Sequence, residues 1–521
     1  MATSNEKLAA SLEQLKAIQD SGQRVVRGSA LSRTHRERLS KAGYLHEVIK
    51  GWYLPARPDL STVSIEGSTA AWFAGMRDFV AGYCDSRFGE HWHLGPETSL
   101  LLRSGERTLP RQLQVWSISG NNQLVQLPHG CSLFIYRAPG LLPAEPHAEN
   151  QGIRLVTLTD ALVAVSSAFF VQQPLAARIA LGMVDDTSPL LRRLLDGSHS
   201  VIGGRLAGAF RAVGRADFAN NIADTLRGAG YTVQEASPFD APPAPLIADR
   251  PVSPHVQRLR LNWAAMRESV IAAFPTPAPL PTNQARIIKD IEARYVADAY
   301  HSLSIEGYHV TADLIEKVRN GAWDPEGSDR QQRDAMAAKG YFEAYKLVKD
   351  FISRTLQQQA NQARPQGLRE ALGAWYLALF SPSVQAGLLK PSDLAGWRNN
   401  QVFIRGALHV PLAKEAVREC MPVLFELIEN ESHPAVRAIL GHFLFVFIHP
   451  YMDGNGRLAR FLMNALLATG GYVWTVIPVQ QRQAYMQALE RASSYGEIEP
   501  FASFVAQLTR QQALHPLPRP G

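Results

Sequence analysis

The chain has 521 residues, of which 46% are hydrophobic and 9% aromatic, and its formal net charge is +6. This length and composition predict about three domains with ordinary globular cores. The three cysteines form no CxxC pair, which argues against a disulfide framework and against a cysteine zinc site. No basic start precedes an apolar run, and no stretch reaches about 18 uninterrupted apolar residues. We therefore expect a soluble cytoplasmic protein without a membrane partner.

Positive charge is concentrated near the start of the chain. Residues 24–57 contain eight arginines and lysines but only two glutamates. A first helix is predicted over Lys7–Gln19 from its apolar face. A basic helix is predicted over Arg33–Ala42, with Ser32 as its N-cap and Gly43 as its stop.

A short β-hairpin is predicted to follow over residues 44–55. Helix, connection, basic helix and hairpin over residues 1–58 together predict a winged helix-turn-helix that binds DNA. The predicted DNA contacts are Arg33, His35, Arg36 and Arg38 in the major groove and Lys50 on the backbone. The run from Ser32 to Pro55 resembles the N-terminal domains of abortive-infection (type IV) antitoxins and related regulators. A protein-docking module is the alternative, since winged helices also serve that purpose.

Residues 60–236 are predicted to form an α+β domain. Helical segments accompany three strand-like runs at 112–118, 123–127 and 131–136, which glycine, asparagine and proline turns separate. The His-Trp-His sequence at 91–93 has no carboxylate or cysteine at ligand spacing, so we expect no metal site there. The pattern resembles the second domain of the same antitoxin-like regulators.

A proline-rich linker is predicted over residues 237–256, because its prolines are incompatible with a continuous helix. The remainder, residues 257–521, is predicted to be a predominantly helical domain. Within it lies the twelve-residue sequence His449–Arg460. An almost wholly apolar helix at 435–448 is predicted before this sequence, and a second helix over Leu458–Thr469 after it.

This sequence predicts an anion site at the start of a helix. Free backbone N–H groups and the positive end of the helix dipole attract anions there. Gly454 and Gly456 let the backbone approach a phosphate closely. Arg457 and Arg460 are three residues apart, and cations in a first helical turn indicate a bound anion. His449 is suited to accept a proton near neutral pH.

The complete sequence resembles the signature of the Fic family, H-x-F-x-[D/E]-G-N-G-R-x-x-R, with Tyr451 where phenylalanine is usual. A Gly-Asn-Gly turn alone would indicate no more than a tight corner. The resemblance implies transfer of AMP from ATP to a protein hydroxyl, with His449 as the base. Asp453, a hard oxygen ligand, would hold Mg²⁺ or Mn²⁺ jointly with the phosphates. The implied phosphate contacts are Gly454, Asn455 and Gly456 for the α- and β-phosphates, and Arg457 and Arg460 for the outer phosphates.

An amphipathic helix is predicted over Arg286–Glu306, where apolar residues recur at every fourth position. Its end, Ser302 to Gly307, matches [S/T]-x-x-x-E-[G/N], the inhibitory motif of self-restrained Fic proteins. The resemblance implies that Glu306 pairs with Arg460 and keeps the γ-phosphate of ATP from its seat. Thr62–Gly67 satisfies the same pattern, but no such apolar stripe leads into it. We therefore expect the later copy to be the inhibitory one.

A β-hairpin flap is predicted over residues 397–411. In the Fic family a flap at this place begins R-x-x-x-V-x-I and docks the target segment by strand pairing. Val402 and Ile404 occupy the V and I positions. The segment 482–492, with Tyr485, resembles the part of these proteins that lines the adenine end of the nucleotide site.

These patterns predict a self-inhibited protein adenylyltransferase that uses MgATP and modifies a Ser, Thr or Tyr hydroxyl of a partner protein. Removal of AMP from a modified protein, with Glu306 orienting the attacking water, uses the same residues and stays open. A third interpretation is a DNA-binding transcriptional regulator or antitoxin-like protein whose nucleotide site senses ATP or restrains a toxin-like activity. The base preference, the identity of the target and possible homo-oligomerisation are also left open.

Overall fold

The computed structural model describes the chain except residues 1–2, 24, 57–64, 109, 147–151, 240–252, 281–283, 322–328, 359–366, 395, 405–406 and 516–521. The chain folds as two units. Unit 1 comprises Met1–Arg258 with Phe403–Val410, and unit 2 comprises Leu259–Val402 with Pro411–Gly521. Most of the predicted 237–256 linker lies outside the described residues.

Unit 1 combines helices with small sheets. Its helices are α1 (Ser4–Asp20), α2 (Arg33–Lys41), α3 (Ile65–Phe88), α4 (Pro96–Arg103), α5 (Leu158–Ala164), α6 (Ser167–Gln172), α7 (Pro174–Gly182), α8 (Ser188–Asp196), α9 (Ser200–Ala212) and α10 (Ala216–Gly228). Its strands are β1 (Val26–Arg27), β2 (Leu45–Ile49), β3 (Trp52–Pro55), β4 (Trp92–Leu94), β5 (Gln112–Ser117), β6 (Gln123–Gln126), β7 (Ser132–Arg137), β8 (Ala144–Pro146) and β9 (Arg154–Val156).

The basic N-terminal segment folds as its sequence predicts. Ser32 caps α2 by accepting a hydrogen bond from the His35 backbone N–H at 3.3 Å, and Gly43 follows the helix with φ 77°. The hairpin of β2 and β3 turns at Gly51, where φ is 81°. β1 adds to it in a three-stranded sheet of order β1-β3-β2. The predicted helices and hairpin are therefore confirmed, while the winged-helix assignment stays a prediction.

The second part of unit 1 contains the predicted mixture of strands and helices. β5 and β7 pair in parallel, and β4 and β6 flank them antiparallel in the order β4-β5-β7-β6. Their apolar faces share a buried core with α3. The helices α4 to α10 enclose a second buried core, whose residues lie between Leu100 and Val233 in the sequence.

Unit 2 is helical throughout its described elements. Its helices are α11 (Pro254–Ala273, whose first turn belongs to unit 1), α12 (Ala285–Ile305), α13 (Ala312–Arg319), α14 (Asp329–Gln358), α15 (Leu368–Gln385), α16 (Lys414–Asn430), α17 (Pro434–Ile448), α18 (Asn455–Thr469), α19 (Arg482–Tyr495) and α20 (Glu499–Leu514). α17 and α18 pack side by side and are buried along nearly their whole length. The loop between them is therefore set on a rigid, apolar base.

The prediction of a β-hairpin over residues 397–411 is wrong for the part that the structure describes. Residues 401–404 and 407–411 contain no paired strand; the backbone of His409 instead bridges to Thr108, and Val410 donates to the carbonyl of Arg107 at 3.1 Å. The buried Arg398 guanidinium donates to carbonyls near both ends of the segment, those of Asn400 and Leu412. The backbone N–H of Ala407 donates to the Ile404 carbonyl at 3.2 Å, but the backbone groups of Asn400, Val410 and Leu412 bond outside any strand pair within the segment.

Among the described residues, no helix combines the length and the apolar character that crossing a membrane requires. The three cysteines, Cys84, Cys131 and Cys420, are buried free thiols.

Candidate active site

His449 is presented by the end of the buried helix α17. The helix stops at Ile448, and His449 takes a left-handed conformation with φ 55°. Such a conformation is uncommon for a residue with a side chain and is concentrated at functional sites. Arg398, which is 2% exposed, holds the turn: its Nε donates to the His449 carbonyl at 2.7 Å and its backbone N–H donates to the Pro450 carbonyl at 2.8 Å. These bonds fix the direction of the imidazole.

The protonation state of His449 suits a general base. Burial lowers the pKa of His449 to about 4, and the nearby Arg398 charge acts in the same direction. The imidazole is therefore neutral at pH 7. Its Nδ1 lies 3.3 Å from the Val446 carbonyl, which can only accept, so Nδ1 carries the hydrogen and Nε2 keeps a free lone pair.

The loop between α17 and α18 is closed by Asn455 and Tyr451. The Asn455 side chain, 2% exposed, donates to the Tyr451 carbonyl at 2.8 Å and accepts from the Tyr451 backbone N–H at 3.0 Å. The Tyr451 ring stacks on Tyr376 with centroids 3.9 Å apart, so the tyrosine in place of phenylalanine keeps the aromatic packing. The side chain of Asn455 thus shapes the loop, which leaves its backbone, and not its amide, to face a phosphate.

The first turn of α18 has the features of an anion site. Gly454 precedes it with φ 80°, and a Cβ there would lie 2.7 Å from the Phe380 ring. Arg457 and Arg460 are 1% and 4% exposed. Nε of Arg457 and one terminal nitrogen of Arg460 are buried without a hydrogen-bond partner among the described residues. Unpaired buried donors are costly, so an anion at this turn would satisfy them.

Glu306 occupies part of this anion site. A terminal nitrogen of Arg460 donates to the Glu306 carboxylate at 2.8 Å. The same guanidinium donates from Nε to the Ser302 hydroxyl and from the terminal nitrogen to the Ser302 carbonyl, both at 2.9 Å. Burial opposes the charge of Arg460, but the Glu306 carboxylate raises the pKa of Arg460 overall. The predicted pairing of Ser302 and Glu306 with Arg460 is present in the structure.

The helix that carries Glu306 is anchored along its length. One turn before Ser302, the buried Asp298 accepts a hydrogen bond from the Tyr341 hydroxyl of α14 at 2.6 Å. Burial raises the pKa of Asp298 to about 6. At the C-terminal end of α12, Nε of Arg482 donates to the Ile305 carbonyl at 2.8 Å. The carboxylate of Glu306 is therefore held in register with Arg460 by bonds that lie outside the pair itself.

Tyr485 lies in a buried aromatic group on α19. Its hydroxyl is 2.8 Å from Nε2 of His442, and its ring packs against Phe501 and Phe504. Burial lowers the pKa of His442 to about 3, so His442 is neutral and its Nε2 and the Tyr485 hydroxyl share one hydrogen bond. The Tyr485 side chain is 1% exposed and packs within the core of unit 2.

Asp453 is the available metal ligand. Its carboxylate is 67% exposed, accepts from the Gly454 backbone N–H at 2.6 Å and lies 3.4 Å from Arg457. Within the described ranges no cluster of three His, Cys, Asp or Glu side chains could hold a metal alone. A single exposed carboxylate beside a phosphate site fits Mg²⁺, which commonly takes one or two carboxylates and completes its shell with phosphates and water.

The remaining predicted residues have different surroundings. Val402 and Ile404 are half-buried, and neither is part of a strand. Within unit 1, the His35 ring is 2.9 Å from the Ser11 hydroxyl, and Arg38 donates to Ser11 and to the Lys7 carbonyl of α1. Arg33 pairs with Glu37 on the surface, and Arg36 donates to the Gly28 carbonyl. Lys50 is exposed at the hairpin turn. The earlier Thr62–Gly67 match begins outside the described residues.

The family model that matches this part of the chain is the Fic/DOC family, over residues 374–467. That region holds His449, the loop that follows it, Arg457 and Arg460. Residues 374–467 are a Fic domain. The relatives that match lie around it: the protein adenylyltransferase Fic of Nematostella vectensis is 28% identical over 240 residues, 44% of this chain and 51% of that protein.

A second relative, the protein adenylyltransferase Fic of Drosophila willistoni, is 38% identical over 221 residues, which are 42% of this chain and 40% of that protein. The chain therefore spans about half the length, or less, of these curated relatives. Among solved structures, Fic-1 (aa134 - 508) from C. elegans aligns with a TM-score of 0.37 and 17% identity, covering 66% of this chain and 97% of that one.

Sequence reasoning missed two aromatic neighbours of Arg457. The Arg457 guanidinium lies between two aromatic rings, 5.1 Å from the centroid of Tyr308 and 5.0 Å from that of Phe380. Tyr308 follows the inhibitory motif by one residue, so its position next to Glu306-Gly307 was the available signal.

Proposed function

We propose that this protein transfers AMP from ATP to a Ser, Thr or Tyr hydroxyl of a partner protein, and that Glu306 restrains the reaction. The observation that carries the proposal is the Arg460–Glu306 pair at 2.8 Å beside the N-terminus of α18. An acidic side chain already fills a site whose cations and backbone suit phosphate. This arrangement supports a nucleotide site that is blocked by Glu306, an acidic side chain of the same protein.

The reaction is an in-line substitution at phosphorus. The target hydroxyl oxygen attacks the α-phosphorus of ATP, the bond from that phosphorus to the bridging oxygen of pyrophosphate breaks, and pyrophosphate leaves. Nε2 of His449 takes the hydroxyl proton. Backbone N–H groups from Gly454 to Gly456 face the phosphate charge, and Arg457 and Arg460 balance it. Mg²⁺, when bound at Asp453, would neutralise phosphate charge.

Self-inhibition follows from competition for one guanidinium. While Arg460 donates to Ser302 and to Glu306, it has a single terminal nitrogen left for a phosphate. A carboxylate at this position also repels the outer phosphates of ATP. The Glu306 side chain is 29% exposed and follows the last helical residue of α12, which supports movement of the carboxylate without unfolding of the helix.

The test is labelling of protein by ATP that carries radioactive phosphorus at either the α or the γ position. We expect label from α-ATP in the Glu306→Gly variant, no label from γ-ATP, and no label in Glu306→Gly with His449→Ala. Label from γ-ATP would indicate phosphoryl transfer instead. No labelling of Glu306→Gly with any α-labelled nucleoside triphosphate would overturn the proposal.

Release of AMP from a modified protein is the second candidate. The Glu306 carboxylate acts to raise the pKa of His449 against the larger effect of burial, which supports a shared role of the two groups in the reverse reaction. Wild type would then release AMP from an adenylylated protein, and Glu306→Gly would not. Retention of release in Glu306→Gly would exclude this role for Glu306.

A further inference from the structure

A basic cleft in unit 1 combines two of the predicted DNA contacts, Arg36 and Lys50, with two arginines that the sequence did not single out, Arg27 and Arg87. It has a volume of about 830 Å³ and is bounded by the turn after β1, the hairpin turn and the C-terminal half of α3. This volume is in the range of ordinary ligand sites. The cations that line it are Arg27, Arg36, Lys50 and Arg87, and the single carboxylate that lines it is Glu47.

The carboxylates near the cleft are directed elsewhere. Glu47 accepts from the Gly51 backbone N–H at 2.9 Å and from the Tyr53 hydroxyl at 3.0 Å. Asp85, which precedes the cleft residue Ser86, accepts from the Trp92 indole at 2.8 Å and lies 3.8 Å from Arg154. Within the described part of the chain, none of the four cations of the cleft forms an ion pair. Glu47 lines the cleft and the Glu37 carboxylate feels the charge of Arg36, so the four cations are only partly offset and the cleft keeps an excess of positive charge.

Each guanidinium in the cleft contacts neutral groups. Arg27 lies over the Trp52 ring at 5.1 Å and donates weakly to the Ser86 carbonyl at 3.4 Å. Arg36 donates to the Gly28 carbonyl at 2.6 Å, and Arg87 to the Tyr83 hydroxyl at 3.4 Å. Since a guanidinium has five N–H donors, most of these donors remain for a ligand. Ring contacts also hold the guanidinium planes in place.

Gly28 makes the floor of the cleft. Its backbone N–H donates to the Gly51 carbonyl at 2.8 Å, which joins the turn after β1 to the hairpin turn. A Cβ at Gly28 would lie 3.3 Å from the Arg36 guanidinium. A side chain at Gly28 would therefore be in tight contact with the end of Arg36, which a small shift of that flexible side chain would relieve.

We propose that this cleft binds phosphate groups, and that the phosphodiester backbone of a nucleic acid is their source. Arginine in quantity, without internal ion pairs and beside an aromatic ring, is the arrangement that suits phosphate. The cleft does not include His35 and Arg38, two of the residues predicted to contact DNA. Their side chains bond to α1 instead. The proposal is independent of AMP transfer, because all of its residues belong to unit 1.

The experiment measures binding of a labelled 20-base-pair duplex to the full chain at several salt concentrations. The test variant is Arg27→Gln with Lys50→Gln, two exposed side chains whose loss leaves the core intact. The matched control is Arg211→Gln with Arg227→Gln, which removes the same charge from surface ion pairs of unit 1 outside the cleft and outside the predicted DNA contacts. Each lost phosphate contact reduces the slope of log affinity against log salt by about 0.9.

We expect the cleft variant to bind the duplex at least about tenfold more weakly than wild type at 0.1 M salt, with a slope of log affinity against log salt that is shallower by about 2. The affinity of the control should stay within about threefold of that of wild type.

The second arm is calorimetric titration with ADP. If the duplex does not bind but ADP occupies two sites in wild type and one in the cleft variant, the phosphate source is a free nucleotide and the cleft is still an anion site. Equal behaviour of the cleft variant and the control in both arms overturns the proposal.

Discussion

The Glu306 carboxylate lies directly against the backbone of Gly456, so that a Cβ added at Gly456 would be 2.2 Å from the nearer Glu306 oxygen. The glycine at the start of α18 therefore provides room for the Glu306 carboxylate. Under the proposed function a phosphate of ATP would need the same space, so only one of the two anions could be present.

This relationship predicts coupling between the two residues. In the wild-type background, Gly456→Ala should lower the free energy of unfolding by about 1–3 kcal/mol, because the methyl group overpacks against Glu306. In a Glu306→Gly background the same change should be neutral or stabilising, since alanine is preferred within a helix by about 1 kcal/mol. Denaturant unfolding of the four proteins gives the coupling energy. Equal costs of Gly456→Ala in both backgrounds would show that the two groups do not meet.

A second prediction concerns Ser302. Ser302→Ala removes the hydroxyl that accepts from Nε of Arg460 but keeps the Ser302 carbonyl and Glu306 in place. Because a hydrogen bond to a charged group contributes about 1.5–3 kcal/mol, the restraint should weaken without disappearing. The rate of AMP transfer should lie between those of wild type and Glu306→Gly.

The control for this change is Ser304→Ala, on the same helix. The Ser304 side chain makes no hydrogen bond to the described part of the chain, so its removal should leave the rate at the wild-type value. Equal activation by the two alanine variants would attribute the effect to the helix and not to Arg460.

The pKa of His449 sets the pH dependence of transfer. Burial places it at about 4, below the ordinary value of 6.5 for histidine. Nε2 is then free to accept a proton throughout pH 6–8. Because His449 does not titrate in this range, it should cause no change in the kcat/KM of Glu306→Gly between pH 6 and pH 8. The decline should come as pH falls towards 4; removal of the Glu306 charge shifts it further down. A pH profile of kcat/KM with a midpoint near 6.5 that moves with substitutions around His449 would contradict this assignment.

Asp298 gives a separate prediction for stability. Its pKa is raised to about 6 in the folded chain, above its value in the unfolded chain, so the stability it contributes is full below about pH 4 and is lost as pH rises through 6. Asp298→Asn keeps an acceptor for Tyr341 and removes the charge. We expect the melting temperature of Asp298→Asn, relative to wild type, to rise between pH 4.5 and pH 7.5. A relative melting temperature that does not change with pH would show that Asp298 titrates normally.

The sequence was sufficient for features that depend on neighbours within one or two helical turns. The helix ending near Glu306, the loop from His449 to Arg460 and the basic helix after Ser32 all follow from local spacing and capping. The pairing of Glu306 with Arg460 joins residues 154 apart, and it was found only because a family resemblance supplied it.

Features that depend on distant partners were not predicted. Arg398 donates to the Leu412 carbonyl across the segment that was predicted to be a hairpin, and Arg27 contacts α3 at Ser86, 59 residues away. No periodicity in the chain specifies such bonds, because they are chosen by packing between elements. The basic excess of residues 24–57 was visible in the sequence, but the cleft in which part of it converges was not.

The most direct test is the initial rate of AMP incorporation from α-labelled ATP by wild type and by Glu306→Gly, measured beside Glu292→Gln as a control for loss of a glutamate from the same helix. Glu306 is the C-cap of α12, where glycine is well tolerated, so the variant should fold normally. Loss of one charge-assisted bond to Arg460 corresponds to a rate increase of about 10- to 100-fold, with Glu292→Gln at the wild-type rate. Equal rates for wild type and Glu306→Gly would contradict the account, since Glu306 would then not be what restrains the site.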